Sequence, residues 1–290
     1  MRVSQGALLA VASALTYGSL GVFVKLAYAE GWNVPSLLSA RFLLAGLTVL
    51  PFALAAKGSW RGMGFAFLLG GVGYAATTAL YFPSIRFLPA AIASFLLYLS
   101  PAIVMVLAAA FLRERITARG GVALALALGG LALLAGGTLS GELSLLGVGL
   151  AVGSAIAFGV TTVMSRRIAQ RMHWARLSLG VCAGAFTSYL VFSLATGQLV
   201  LPGGAPASLY ALGIGVLATG IPLSFFFAAL ARSSAGEVSV ISTLEPVSTL
   251  ILAAFFLGEV PGLLGIAGGA LILFAAMLLA TQDPITAPHE

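Results

Sequence analysis

Charge is what this sequence lacks most: only 8% of its 290 residues are Asp, Glu, Lys or Arg, against about a quarter in an ordinary soluble domain. So few charges cannot cover the surface of a water-soluble fold of this length, whereas lipid solvates an apolar exterior. Cysteine is nearly absent. Cys182 stands alone in an apolar stretch, which excludes a disulfide within the chain. Histidine is limited to His173, in a basic loop, and His289, near the end. These residues show neither metal-ligand spacing nor a nucleophile–base pairing. No glycine-rich turn follows a strand or precedes a lysine, so no phosphate loop is present and direct drive by ATP is not expected. The sequence calls for no cofactor. A basic stripe with interleaved aromatics is also missing. The formal net charge of +6 therefore does not point to nucleic acid; the basic residues sit mostly in short loops, a pattern that suits topology and anionic lipid.

What the sequence has instead is apolar length. Hydrophobic residues make up 60% and glycine numbers 36, a composition suited to close helix packing in a bilayer. A helix needs about 20 apolar residues to cross the hydrocarbon core. Divided at charges, prolines and polar clusters, the chain yields candidate spans at 6–27, 34–56, 63–85, 89–112, 118–139, 143–165, 175–196, 207–231, 235–257 and 260–280. Short connections leave no room for a soluble domain. The first span resembles a secretory signal, with Ala27-Tyr28-Ala29 as a cleavage-like site, but its apolar run is longer than a signal core. Cytoplasmic loops of membrane proteins carry the excess of Lys and Arg. With the N-terminus inside, Arg2, Lys57, Arg61, Arg113, Arg115, Arg119, Arg166, Arg167, Arg171, Arg176 and Arg232 fall on one face, and only Lys25 and Arg86 on the other. An even number of spans returns the C-terminus to the same side.

The two halves resemble each other. Ala14-Leu15-Thr16-Tyr17-Gly18 aligns with Ala155-Ile156-Ala157-Phe158-Gly159, which sets Lys25 against Arg166. Leu99-Ser100-Pro101 and Phe111-Leu112-Arg113-Glu114 align without gaps with Leu244-Glu245-Pro246 and Phe256-Leu257-Gly258-Glu259. The expected division is 1–139 and 140–290, five spans each. Because five is odd, the second half enters the membrane in the opposite sense. An inverted repeat of this kind lets the halves exchange roles and open a central site to each side in turn.

These features, together with Arg41-Phe42 in span 2, resemble the drug/metabolite transporter superfamily, and within it the EamA-type exporters. The narrower likeness is to YddG-type amino-acid exporters. The resemblance implies a basket-like, all-α bundle of ten transmembrane helices with a central cavity lined by spans 1, 3, 4, 6, 8 and 9. It implies transport of a small molecule, export of amino acids or related metabolites being the nearest case and broad drug or metabolite efflux the alternative. It further implies a multi-pass protein of the inner membrane, a monomer or weak dimer, with protons as a candidate coupling ion. Span 1 has no acid before Glu30, so the membrane-embedded Glu of four-span multidrug carriers has no counterpart.

Candidate binding residues follow from polarity at membrane depth. Tyr74, Thr77, Thr78 and Tyr81 share a helix face in span 3. Tyr98 precedes Ser100 and Pro101 in span 4, and Tyr17 and Phe158 occupy matching places in spans 1 and 6. Aromatic faces hold apolar or cationic groups, and hydroxyls offer exchangeable hydrogen bonds. Pro101 and Pro246 each remove a backbone donor, so both spans are expected to kink and to free carbonyls near Leu97 and Ser242. Glu245 is the one acid near the middle of a span, a placement that costs about 2.5–3.5 kcal/mol on insertion scales. Arg41 lies within span 2 and could bind a substrate carboxylate, snorkel or pair with an acid. An intramembrane enzyme acting on lipid-linked substrates would need Glu245 with Arg41 or a serine as its catalytic pair, and a channel would need a standing pore.

Overall fold

A computed structural model describes residues 4–88, 90–135, 144–258 and 262–280. Arg2, Glu259, His289 and the division at 139/140 lie outside the described residues. Every regular element among the described residues is a helix, and 10 of the helices are long and apolar enough to cross a membrane. Spans 1 to 5 are Gln5–Ala29, Val34–Ala55, Met63–Ser84, Ile92–Leu112 and Ala118–Ala135. Spans 6 to 10 are Leu145–Ala169, Trp174–Ala195, Ala205–Leu230, Ala235–Phe256 and Leu263–Ala280.

Local chemistry starts and stops these helices. Ser4, Asn33, Ser144 and Ser234 each stand before a helix and accept a hydrogen bond from a free first-turn N–H, of Ala7, Ser36, Gly147 and Glu237 respectively. Span 2 ends on a side chain from span 7. Buried Arg176 donates to the carbonyls of Ala53 (3.3 Å), Ser59 (3.0 Å) and Ala56, with its guanidinium 4.6 Å from the Trp60 ring centroid. Arg176 is thus consumed in capping a helix C-terminus rather than standing free in a loop. Span 6 runs beyond the expected 165 to Ala169, because Arg166 is engaged inside the bundle instead of ending the helix.

The halves make reciprocal contacts. Spans 2 and 7 pack together, as do 5 and 10, and 4 and 9; span 1 meets 8 as span 6 meets 3. Individual bonds repeat in the sequence register. Ser13 donates to Pro222 O in span 8 at 2.8 Å, and its mate Ser154 donates to Thr77 O in span 3 at 2.8 Å. A Cβ at Gly18 would meet Thr249 N at 2.8 Å, and one at Gly159 would meet Ile103 Cγ2 at 2.8 Å and Val104 N at 3.7 Å. Spans 1 and 9, and 6 and 4, can approach so closely only because those positions lack a side chain. Spans 5 and 10 meet the same way, with the Gly268 carbonyl 2.5 Å from where a Gly130 Cβ would be.

The outward surface is apolar. Phe111 and its mate Phe256 are 70% and 72% exposed, unfavourable in water and normal against lipid tails. The chain is therefore a multi-pass membrane protein.

Candidate functional site

Breaks in regular helix shape the centre of the bundle. Span 4 is interrupted between Ala90–Leu97 and Ser100–Leu112, and span 9 between Ala235–Ile241 and Leu244–Leu257, each break just ahead of its proline. Pro246 cannot donate to Ser242 O; Glu245 N does so instead, at 3.0 Å, tightening the turn. Spans 3 and 8 each contain a π-helical stretch, Leu69–Tyr74 and Gly213–Gly220. These lie at matching places in the two halves. Wide turns of this type often mark functional sites, and here they carry Tyr74 and Thr219 into the interior.

Arg41 is the best-placed cation. Its Nε donates to Thr219 Oγ1 at 2.8 Å, and its guanidinium lies 5.1 Å from the Phe42 ring centroid. Phe42 in turn stacks on Tyr189 (5.6 Å, 18°) and meets Tyr74 edge-on (6.1 Å, 71°). The Tyr189 hydroxyl is bonded to Thr78 Oγ1 at 2.6 Å and donates to Tyr74 O at 3.2 Å. Among the described residues nothing bonds the two terminal amino groups of Arg41, which leaves its bidentate fork open.

Glu245 is the eleventh residue of the 22-residue span Ala235–Phe256. Its side chain makes no hydrogen bond or ion pair among the described residues, yet it lies within electrostatic reach of Arg41, Tyr17, Tyr74 and Tyr98. Groups from spans 1, 2, 3, 4 and 9 therefore converge on one place, which must be the bundle's interior. Arg41, Tyr17, Tyr74, Tyr98 and Glu245 are each only partly buried. Tyr81 bonds Ser94 at 2.7 Å and packs against the buried cluster of Leu88, Ile92, Ala93 and Ala151, within electrostatic reach of Tyr98. Ser242 donates to its own helix, to Val238 O at 2.8 Å. Phe158 is half-buried beside Gly159. The structure thus brings together Tyr17, Arg41, Tyr74, Tyr98 and Glu245, places Thr78 and Tyr81 in flanking polar contacts, and sets Pro101 and Pro246 at the helix breaks.

Sequence reasoning did not single out Tyr189 or Thr219. Both are polar residues inside apolar spans, which was the available signal, but their roles depend on partners far along the chain.

Below this centre a second contact ties the bundle end. Glu114 Oε1 accepts from Arg166 Nε at 3.1 Å, with side chains 19% and 13% exposed. Its Oε2 accepts from Ala235 N at 2.9 Å, and Arg166 also donates to Leu230 O. The end of span 4 is thereby joined to the ends of spans 6 and 8 and the start of span 9. Arg113, just before Glu114, takes a left-handed φ of 57°, as does its mate Gly258 at 69°. This turn aims Glu114 at Arg166 and costs a non-glycine residue about 1–2 kcal/mol.

Ten apolar helices around a cluster of polar side chains define a multi-pass membrane protein. The chain belongs to the EamA-like transporter family, which it matches over residues 4–136 and 145–281. It is 28% identical to an "Uncharacterized transporter" of Archaeoglobus fulgidus, covering 98% of each chain. It is 26% identical to "Uncharacterized transporter YvbV" of Bacillus subtilis, covering 69% of this chain and 66% of that one. A solved structure described as "Crystal structure of protein" shares the fold, with a TM-score of 0.83 over 96% of both chains at 22% identity. The chain is thus a transporter by family, resident in lipid and acting on a small molecule.

Proposed function

We propose that this protein is a secondary transporter that exports amino acids, aromatic or other neutral ones, or closely related metabolites, across the cytoplasmic membrane by alternating access. The observation that carries this reading is the pairing of Arg41 and Glu245. They feel each other electrostatically but form no ion pair, and each has unused hydrogen-bonding capacity. A zwitterion satisfies both at once, its carboxylate on the Arg41 fork and its ammonium on Glu245. Tyr17, Tyr74 and Tyr98 supply aromatic surface for a side chain. A solute of one charge would leave one group buried and unpaired, at a cost in binding.

Reciprocal contacts between the halves support an inverted repeat divided near 139/140, with both termini cytoplasmic as the arginine distribution favours. The Glu114–Arg166 contact then closes the cytoplasmic mouth. In the sequence register its counterparts are Glu259 and Lys25, on the opposite face. Making and breaking the two contacts in alternation would open the centre to one side at a time. Glu245 is the group through which a proton gradient would couple, by protonation when the solute leaves. A monomer suffices for this cycle, since every group in it comes from one chain.

Counterflow in proteoliposomes, with a panel of neutral, acidic and basic amino acids and with or without a pH gradient, tests the reading. Neutral amino acids should exchange, and Glu245→Gln should lose the response to the gradient. Correctly inserted protein that moves none of them, or prefers singly charged solutes, would sink the zwitterion assignment; movement of unrelated drugs alone would replace it with broad efflux.

A further inference from the structure

Away from the centre, a cleft of about 510 Å³ opens where span 3 begins and span 6 ends, a volume typical of small-ligand sites. Arg61, Arg167 and Arg171 surround it, and Phe65, Met164 and Ile168 form its apolar wall. All three arginines are exposed, and none has a guanidinium hydrogen bond or ion pair among the described residues. This differs from Arg166 and Arg176 nearby, whose donors are spent on Glu114, Leu230 O and the end of span 2. Phe65 is the third residue of span 3 and Arg167 the third from the end of span 6. The cleft therefore straddles the level at which hydrocarbon gives way to headgroups, with Phe65 itself exposed on the outer wall.

We propose that this cleft is a binding site for an anionic phospholipid, with the headgroup phosphate held among Arg61, Arg167 and Arg171 and an acyl chain lying along Phe65 and Met164. The charge fits: three unspent cations favour an anion, and guanidinium forks match phosphate oxygens. The wall fits as well, because a soluble phosphate leaves Phe65, Met164 and Ile168 without a partner, whereas a lipid covers them. Depth decides the source, since a bilayer delivers a phosphate with an attached chain to this level. Basic pockets between helices at the membrane boundary are a known means of holding such headgroups. The assignment is independent of what the central site transports. A lipid here would brace the start of span 3 against the end of span 6, next to Arg166.

Native mass spectrometry of the full chain, released from bilayers of equal phosphatidylglycerol and phosphatidylcholine, tests this. The protein should retain phosphatidylglycerol preferentially. Arg167→Gln with Arg171→Gln should weaken that retention by about 25-fold, from about fivefold per basic residue. Arg113→Gln with Arg115→Gln, the same charge change outside the cleft, should have little effect. Equal retention of the two lipids would overturn the proposal, and so would equal loss in both double variants, which would mark a diffuse surface attraction. Inorganic phosphate and glycerol phosphate form a further arm: if either displaces the lipid at low millimolar concentration, the site serves a soluble anion and the lipid assignment fails. The cleft arginines are exposed, so thermal unfolding in neutral detergent should match the unmodified protein and exclude misfolding as the cause.

Discussion

The Glu114–Arg166 contact gives the sharpest test of alternation. Glu114→Gln keeps the shape of the side chain and removes its charge. Two bonds to that carboxylate are weakened, from Arg166 Nε at 3.1 Å and from Ala235 N at 2.9 Å. Bonds to a charged group contribute about 1.5–3 kcal/mol each. The glutamine retains part of both, and the carboxylate is 19% exposed to screening, so a net loss of about 2 kcal/mol is the working figure. If the contact holds one mouth of the bundle shut, that loss shifts the open-to-closed ratio about 30-fold toward open on this side. It should not unfold the protein, because the contact joins helix ends and not the packed core. A cysteine reporter reads the shift. Cys182 is the single native thiol and is buried, so Cys182→Ala gives a clean background. Ser242→Cys then places a thiol at the span 9 break, where Ser242 is partly accessible. A membrane-impermeant maleimide applied from the side of the membrane on which Glu114 lies should label this position at least about tenfold faster in the Glu114→Gln protein. Labelling within about twofold of the parent, with the protein folded, would refute the gating role; a fall in thermal stability without faster labelling would make the contact a structural brace.

Three further outcomes follow from individual contacts. Thr219→Val removes the acceptor that orients Arg41 Nε and should raise the apparent KM of transport about tenfold, the value of one lost charge-assisted bond, with the maximal rate largely kept; an unchanged KM would release Arg41 from the site. Gly130→Ala presses a Cβ into the Gly268 carbonyl at 2.5 Å, while the adjacent Gly129→Ala meets nothing within 4 Å; thermal unfolding should show the first destabilised by about 1–3 kcal/mol and the second neutral or slightly stabilised, and equal effects would contradict the span 5–span 10 packing. His173 accepts from Ala175 N at the start of span 7, and burial together with Arg176 and Arg232 lowers its pKa from the ordinary 6.5. A folded pKa below the unfolded one means that this cap stabilises above the unfolded value and is lost as pH falls through and below it; His173→Asn, which caps at any pH, should flatten that part of the stability profile, and an unchanged slope would assign it elsewhere.

Much of this protein is a local property of its sequence. Whether a stretch crosses a bilayer depends on about twenty consecutive residues, so the expected spans differ from the observed helices by only a few residues, and the +145 register between Pro101 and Pro246 is visible without coordinates. Glu245 stands out for the same reason, as a lone acid at mid-span. Tertiary structure decided the rest. The sequence cannot show that Ser13 and Ser154 make equivalent bonds to Pro222 and Thr77, because each bond crosses from one half to the other. Nor could it tell that Arg166 and Arg176 are spent within the fold while Arg61, Arg167 and Arg171 are not; all five read alike as basic residues at span ends. The widened turns at Leu69–Tyr74 and Gly213–Gly220 pack closely against spans 7 and 2, where glycines meet backbone. Propensity along one strand of sequence carries no record of that packing, yet those turns place Tyr74 and Thr219 beside Arg41. Apolar length determines that the chain enters the membrane; only the meeting of its halves determines which polar groups are left open to a solute.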